Sequence, residues 1–76
     1  MLYVVDRHNG RNIKLVTVTT DSRVAYKAIQ VSKKIRFPES VNECYTISEY
    51  WDMSFDDFER WNDSGVFPDA NMTYAV

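Results

Sequence analysis

Apolar and β-branched residues at alternating positions predict two strands near the start of the 76-residue chain. The first runs from Leu2 to Asp6. Asn9-Gly10 then predicts a hairpin, because both residues tolerate the positive φ values of a type I′ turn. The returning strand, Asn12 to Thr20, is apolar on both faces, which favours an inner strand or one partly covered on each side. Its faces are predicted to be Ile13, Leu15 and Thr17 on one side and Lys14, Val16 and Val18 on the other.

Helical periodicity follows over residues 22–36, with Asp21-Ser22 as N-cap and Phe37-Pro38 ending the helix. One stripe is predicted to face the core: Val24, Ala28, Val31 and Ile35, widened by Ala25 and Ile29. A second stripe is predicted to face solvent: Arg23, Lys27, Gln30 and Lys34. The basic residues near the end of this helix interact favourably with the negative end of the helix dipole.

The second half predicts a loop over residues 39–44, a strand from Tyr45 to Trp51 and a short helix. Ser54 is the predicted N-cap of that helix, with Asp57 completing a capping box and Gly65 ending the helix. Met53 is expected to pack on Phe58 as a hydrophobic staple. Three aromatic residues are expected to point one way: Phe55, Phe58 and Trp61. Ala70 to Val76 predicts a terminal strand at a sheet edge.

The predicted order is β-β-α-β-α-(β), which indicates one α+β domain over residues 1–76. We expect a small three- to four-stranded, mainly antiparallel sheet with one long helix and one short helix. At least one face of that sheet should be covered by helix. The composition, 45% apolar and 14% aromatic, is typical of a folded protein.

Charge is divided unevenly along the chain, although the net charge is only −2. Residues 1–37 hold eight Lys and Arg against two acids, a net +6. Residues 38–76 hold nine acids against Arg60 alone, a net −8, together with eight of the eleven aromatic residues. Such asymmetry is informative about partners rather than about fold.

The residue types of common catalytic and metal sites are scarce. Cys44, the single cysteine, is predicted to be a buried small hydrophobe, and Glu43 beside it disfavours a reactive thiolate. His8 is expected in solvent at the turn, far from Cys44 and with no second histidine to help bind a metal. The only glycines, Gly10 and Gly65, form no phosphate-binding loop. We therefore expect no enzyme, no metal site and no cofactor.

A cytoplasmic location is expected for three reasons. The N-terminal apolar run turns charged at Asp6, too early for a signal peptide. No run approaches the roughly 20 apolar residues that cross a bilayer, so we expect no membrane partner. A lone cysteine suits a reducing compartment.

Two functional hypotheses remain, from different classes. The first is a protein-binding module whose acidic and aromatic face contacts a partner with a basic surface. Its predicted contact residues are Asp56, Asp57, Glu59, Asp63, Tyr50 and Trp51. The alternative is a weak nucleic-acid binder using Arg23, Lys27 and Lys34, although the pI of about 5.2 is low for that class. Opposite charges in the two halves also permit a head-to-tail homodimer.

In general character, this short, acid-rich α+β chain resembles the small inhibitors and host-takeover factors of bacterial viruses. The resemblance concerns the whole chain and transfers no site residue. It implies a protein that occupies a surface of a host nucleic-acid-handling complex.

Overall fold

A computed structural model of the protein describes residues 1–10, 12–34 and 43–76. Four strands and two helices alternate in the order β-β-α-β-α-β, which confirms the predicted α+β class. Their bounds are β1 Leu2–Asn9, β2 Asn12–Thr19, α1 Ser22–Lys34, β3 Glu43–Tyr50, α2 Phe55–Ser64 and β4 Met72–Ala75. Predictions for Arg11, Ile35, Arg36, Phe37-Pro38 and residues 39–42 lie outside the described residues.

The four strands form one sheet in the order β2-β1-β3-β4, and every neighbouring pair is antiparallel. β2 and β3 are therefore parallel to each other, with β1 between them, and α1 joins them as a crossover. β4 lies at an edge, as predicted, and β2 lies at the other. The expectation that β2 is an inner strand is wrong. The alternative, a strand partly covered on each side, is correct for two of its residues, because Val16 packs on one core and Val18 on the other.

The hairpin between β1 and β2 forms where the sequence predicts it, but Asn9 lies in the strand rather than in the turn. Asn9 belongs to β1 and pairs with Asn12. Gly10 has a φ of 61°, whereas no non-glycine residue in the described ranges has a positive φ. Gly10 therefore supplies the left-handed conformation, and Asn9 does not.

A β-bulge breaks the alternation of β2. Val5 pairs with Thr17 and Asp6 pairs with Leu15, which leaves Val16 as an extra residue. Because paired residues share a face, Thr17 lies on the side of Val5, and Ile13 and Leu15 lie on the opposite side. The prediction that Ile13, Leu15 and Thr17 share one face is therefore wrong, as is the grouping of Val16 with Val18.

The core under α1 is a cluster of Val5, Ala25, Ile29, Tyr45 and Ile47. The Tyr45 hydroxyl, buried there, hydrogen-bonds the Ser32 hydroxyl at 2.7 Å. Val24 and Val31, predicted to face the core, are half-exposed. They line a groove beside β2, because β2 is an edge of the sheet and no strand in the described ranges covers them.

A second core lies on the other face of the sheet, under α2. It consists of Leu2, Val4 and Phe58, with Val18, Tyr50 and Met53 packed against it. Val4 and Val5 are neighbours in β1 and point to opposite faces, so β1 contributes to both cores. The two helices thus cover opposite faces of the sheet. No helix in the described ranges is long and apolar enough to cross a membrane.

Candidate protein-binding surface

α2 begins and ends with the capping residues that the sequence predicts. The Ser54 side chain accepts a hydrogen bond from the Asp57 backbone, and the Asp57 side chain accepts one from the Ser54 backbone. Gly65 ends the helix in the left-handed conformation, with a φ of 74°. Met53 packs against the cluster that contains Phe58, as the staple requires. These contacts hold the helix by its ends and leave its outer face free.

The aromatic residues of α2 do not all face the core. Phe58 is buried, whereas Phe55 and Trp61 expose 47% and 40% of their surface. Residues three apart differ by about 60° around a helix, so Phe55 and Trp61 lie on either side of Phe58 rather than beneath it. The prediction that all three point one way is therefore wrong, and two large rings remain at the surface of a ten-residue helix.

Three exposed carboxylates form a line along the outer face of α2, which we call the acidic row: Asp56, Glu59 and Asp63. In the part of the chain that the structure describes, none of them forms an ion pair. Phe55 borders this row, whereas Trp61 lies roughly 140–160° around the helix from it, on the side of Asp57 and Ser64. We call the acidic row together with Phe55 the α2 surface.

Asp57, also predicted as a contact residue, has a structural role. Hydrogen bonds from the Ser54 backbone and side chain, with the Arg60 charge, hold the pKa of its carboxyl below the usual range. Its side chain also forms an ion pair with Arg60. Asp57 therefore fixes the start of α2 and lies outside the acidic row.

The remaining predicted contact residues, Tyr50 and Trp51, lie on opposite sides of the sheet. Tyr50 packs against the core under α2, on the inner side of that helix. Trp51 is exposed, and its indole Nε1 donates to Glu49 Oε1 at 3.2 Å. Glu49 also interacts with the Tyr74 hydroxyl, as does Tyr26 of α1. Trp51 thus belongs to a polar network on the α1 side of the sheet.

That network raises the pKa of the Tyr74 hydroxyl. Desolvation is the largest cause, followed by the hydrogen bond and charge interaction with Tyr26 and then those with Glu49. Tyr74 therefore remains a neutral hydrogen-bond donor, and the network joins α1 to β3 and β4.

The alternative, basic site lies on the outer face of α1. Arg23 is paired with Asp21, which also caps the helix by accepting from the Arg23 backbone at 2.9 Å. Lys27 and Lys34 are exposed on the same face, as predicted. Lys14 lies on the same side of the sheet, since it pairs with Arg7, which pairs with the buried Tyr45.

Two sequence predictions about reactive residues are wrong. Cys44 is exposed rather than buried. His8 lies in β1 and is partly buried rather than at the turn, and it pairs directly with Cys44 across the sheet. The imidazole Nε2 is hydrogen-bonded to Thr46 Oγ1 at 2.9 Å. No hydrogen bond between His8 and Cys44 exists among the described contacts, so their proximity does not by itself form a catalytic pair.

Comparison of the chain with protein-family models, curated proteins and solved structures found no match. Within residues 1–10, 12–34 and 43–76, no group of three or more His, Cys, Asp or Glu side chains is placed to hold a metal ion.

Proposed function

We propose that the protein is a non-catalytic protein-binding module that acts in the cytoplasm by occupying a partner's surface through the α2 surface. One observation carries the proposal: Phe55 is exposed by 47% beside outer carboxylates that are unpaired among the described residues, and Trp61, further around α2, is exposed by 40%. Large exposed rings are costly in a free domain, and so are like charges held in one row. They are useful at an interface, where aromatic residues supply much of the binding energy.

The partner's surface is basic in this proposal. The acidic row concentrates negative charge along one line of α2, and Coulomb attraction steers a basic surface towards it. The resemblance to small inhibitors of bacterial viruses makes a host nucleic-acid-handling complex the first class of partner to test, since such complexes carry basic surfaces. In that role the protein is an inhibitor that competes for the basic surface.

The test is affinity capture from a lysate of the native host, with wild type compared with two charge-reversed variants. Asp56→Lys with Glu59→Lys reverses two charges of the acidic row. Lys27→Glu with Lys34→Glu reverses the same number on the outer face of α1 and is the matched control. All four positions are exposed, so folding should be little affected.

We expect the captured partner to be lost with the α2 variant and retained with the α1 variant. With the purified partner, the α2 variant should mainly slow association, and more so at low salt. Capture that survives reversal of the acidic row would reject the α2 surface. Loss of binding with the α1 variant, with a steep salt dependence of binding to DNA or RNA, would support the nucleic-acid alternative instead.

A further inference from the structure

A cavity of about 210 Å³ lies beside α2, on the face of the sheet that this helix only partly covers. Its walls are mainly apolar and are formed by Val4, Leu15, Phe58 and Phe67. Leu15 and Phe67 are half-exposed, so the cavity is reached from solvent past these two side chains. The Phe58 and Phe67 rings are 5.3 Å apart and tilted, and they make one wall aromatic.

Three polar side chains also line the cavity: Asp6, Tyr50 and Asn62. The Asp6 carboxylate is about half-buried, and in the described part of the chain it accepts no hydrogen bond and forms no ion pair. Desolvation raises the pKa of this carboxyl, and the neighbouring His8 offsets only part of that effect. A partly desolvated carboxylate whose charge is only partly offset is costly, and a cation bound beside it would lower that cost.

The surroundings of Asp6 reinforce the preference for a cation. Burial raises the pKa of Tyr50, and the charges of Asp6 and Asp69 raise it further, so the phenol remains neutral. In the described ranges, the charged groups that act on the cavity's titratable side chains are His8 from β1, which acts on Asp6, and Asp69 from the segment after α2, which with Asp6 acts on Tyr50. Asp6 is the carboxylate that lines the cavity itself.

We propose that this cavity binds the side chain of an arginine or lysine of the protein partner, with its aliphatic stem against Phe58 and Phe67 and its cationic group at Asp6. Long basic side chains combine an apolar stem with a charged end, which matches an apolar wall with a carboxylate. The volume is below the roughly 300–1,000 Å³ of sites for drug-sized ligands, so it suits one side chain.

The position of the cavity links it to the proposed function, on which this inference rests. Asn62 lines the cavity and stands between Trp61 and Asp63 in α2. It lies on the same side of the helix as Phe55. A basic partner on the α2 surface would therefore have the cavity at the margin of its contact, where one side chain can enter.

The test is an NMR titration of the ¹⁵N-labelled chain with a blocked tripeptide that carries arginine between two glycines. The control ligand is the same peptide with citrulline, which has nearly the same shape without the charge. We expect the arginine peptide to shift the amide signals of Leu15, Phe58 and Phe67 in a saturable manner. Asp6→Asn should weaken this binding about tenfold, and Asp52→Asn, the same charge change in the exposed β3–α2 turn, should not.

Equal binding of the citrulline peptide, or unchanged affinity of a folded Asp6→Asn variant, would overturn the proposal. So would binding of n-propylguanidinium without binding of the peptide, because the site would then select a small free cation. Phe67→Ala, at the rim, is the second variant and should weaken binding through lost contact with the stem. The titration needs no protein partner, so its failure is distinct from that of the charge-reversal test of the α2 surface.

Discussion

At the scale of single residues, nearby side chains on α1 differ sharply in their contribution to the free energy of unfolding. Ile29 is 2% exposed in the core between α1 and the sheet, whereas Val31, two residues later, is 49% exposed. A truncation at Ile29 leaves a cavity that the surrounding side chains fill only in part. The same truncation at Val31 removes surface that is already largely in water.

We expect Ile29→Ala to lower the free energy of unfolding by about 2–5 kcal/mol, and the matched variant Val31→Ala to change it by about 0.5 kcal/mol or less. Urea denaturation followed by circular dichroism measures both. In so small a domain the Ile29 variant can be unfolded without denaturant, which would itself agree with the larger loss. Equal losses for the two variants would mean that α1 packs on a different face.

Asp6 illustrates a residue whose ionised form opposes folding. Its carboxyl has a raised pKa in the folded chain because of burial, so the folded state binds the proton more tightly than the unfolded state does. The stability penalty is therefore present above the folded pKa and disappears as the pH falls below the ordinary pKa of an aspartate. Among the described residues, His8 offsets part of this effect through its charge, and Tyr50, which also lines the cavity, is affected by the charges of Asp6 and Asp69.

Asp6→Asn should accordingly raise the free energy of unfolding at pH 7 and leave it nearly unchanged relative to wild type at about pH 3, where the aspartate is protonated in both states. Denaturant titrations of both proteins at the two pH values measure the difference. A variant less stable than wild type at pH 7 would show that Asp6 has a favourable partner in the fold. A stability gain at a binding group would fit the trade-off between stability and function.

At the scale of elements, the two helices are attached to the sheet unequally. α1 buries Ala25 and Ile29, with Ser32 bonded to Tyr45, and the described residues of α2 bury Phe58 alone. Apart from the staple of Met53 and the Phe58–Phe67 contact, α2 is held mainly by its caps. Local opening is easiest where few apolar side chains are buried.

We therefore predict faster amide hydrogen exchange in α2 than in α1 and in the paired part of β1. Exchange followed by NMR at constant pH should show protection in α2 that is lost by local opening, with weak dependence on denaturant. Binding of the partner or of the arginine peptide should slow exchange in α2. Equal protection of the two helices, with the same denaturant dependence, would instead make the domain one cooperative unit.

The order of elements and the ends of α2 could be predicted from the sequence because their signals are local. Ser54, Asp57 and Gly65 act within a few residues of one another, and each occupies its predicted role. The rotation of α1 depends on where the sheet ends, which no local pattern reports. Val24 and Val31 therefore look like core residues in the sequence and line a surface groove in the fold.

The candidate sites divide in the same way. The acidic row follows from spacings of three and four within one helix, so its members were predicted together. The cavity assembles residues from β1, β2, β3, α2 and the segment beyond it, and it depends on the register of the sheet. The bulge at Val16 determines which face Leu15 occupies, and the pairing of His8 with Cys44 likewise comes from register alone. Because side chains alternate along a strand, the sequence could have placed Asp6 on the same face as Val4. It could not have placed Asp6 in a cavity.

At the scale of the whole molecule, several exposed charges of opposite sign lie on opposite faces of the sheet. Lys14, Lys27 and Lys34 lie on the α1 side of the sheet, and the acidic row and Asp6 lie on the α2 side. The chain therefore has a positive and a negative side, with the sheet between them. A net charge of −2 conceals this separation.

Two copies can attract each other when the positive side of one faces the negative side of the other, as in the head-to-tail homodimer expected from the sequence. Such a contact is heterologous and does not close, so it should remain weak and salt-sensitive. We predict that the second virial coefficient from light scattering is negative at low salt and rises as salt is added. Asp56→Lys with Glu59→Lys should remove the attraction. A positive second virial coefficient at low salt that falls as salt is added would show that the two copies repel. Their interaction would then be governed by the net charge and not by the separation of charge between the two sides.

The bulge in β2 has a consequence for the protein at high concentration. β2 is an edge strand that contains Ile13, Leu15, Val16 and Val18, and such strands can pair with a second copy and grow into fibrils. The extra residue at Val16 twists the strand and interrupts its row of free backbone groups, while Lys14 places a charge in the segment. A second chain can then pair with only part of β2 at a time, so the irregularity protects the domain from amyloid growth along this edge.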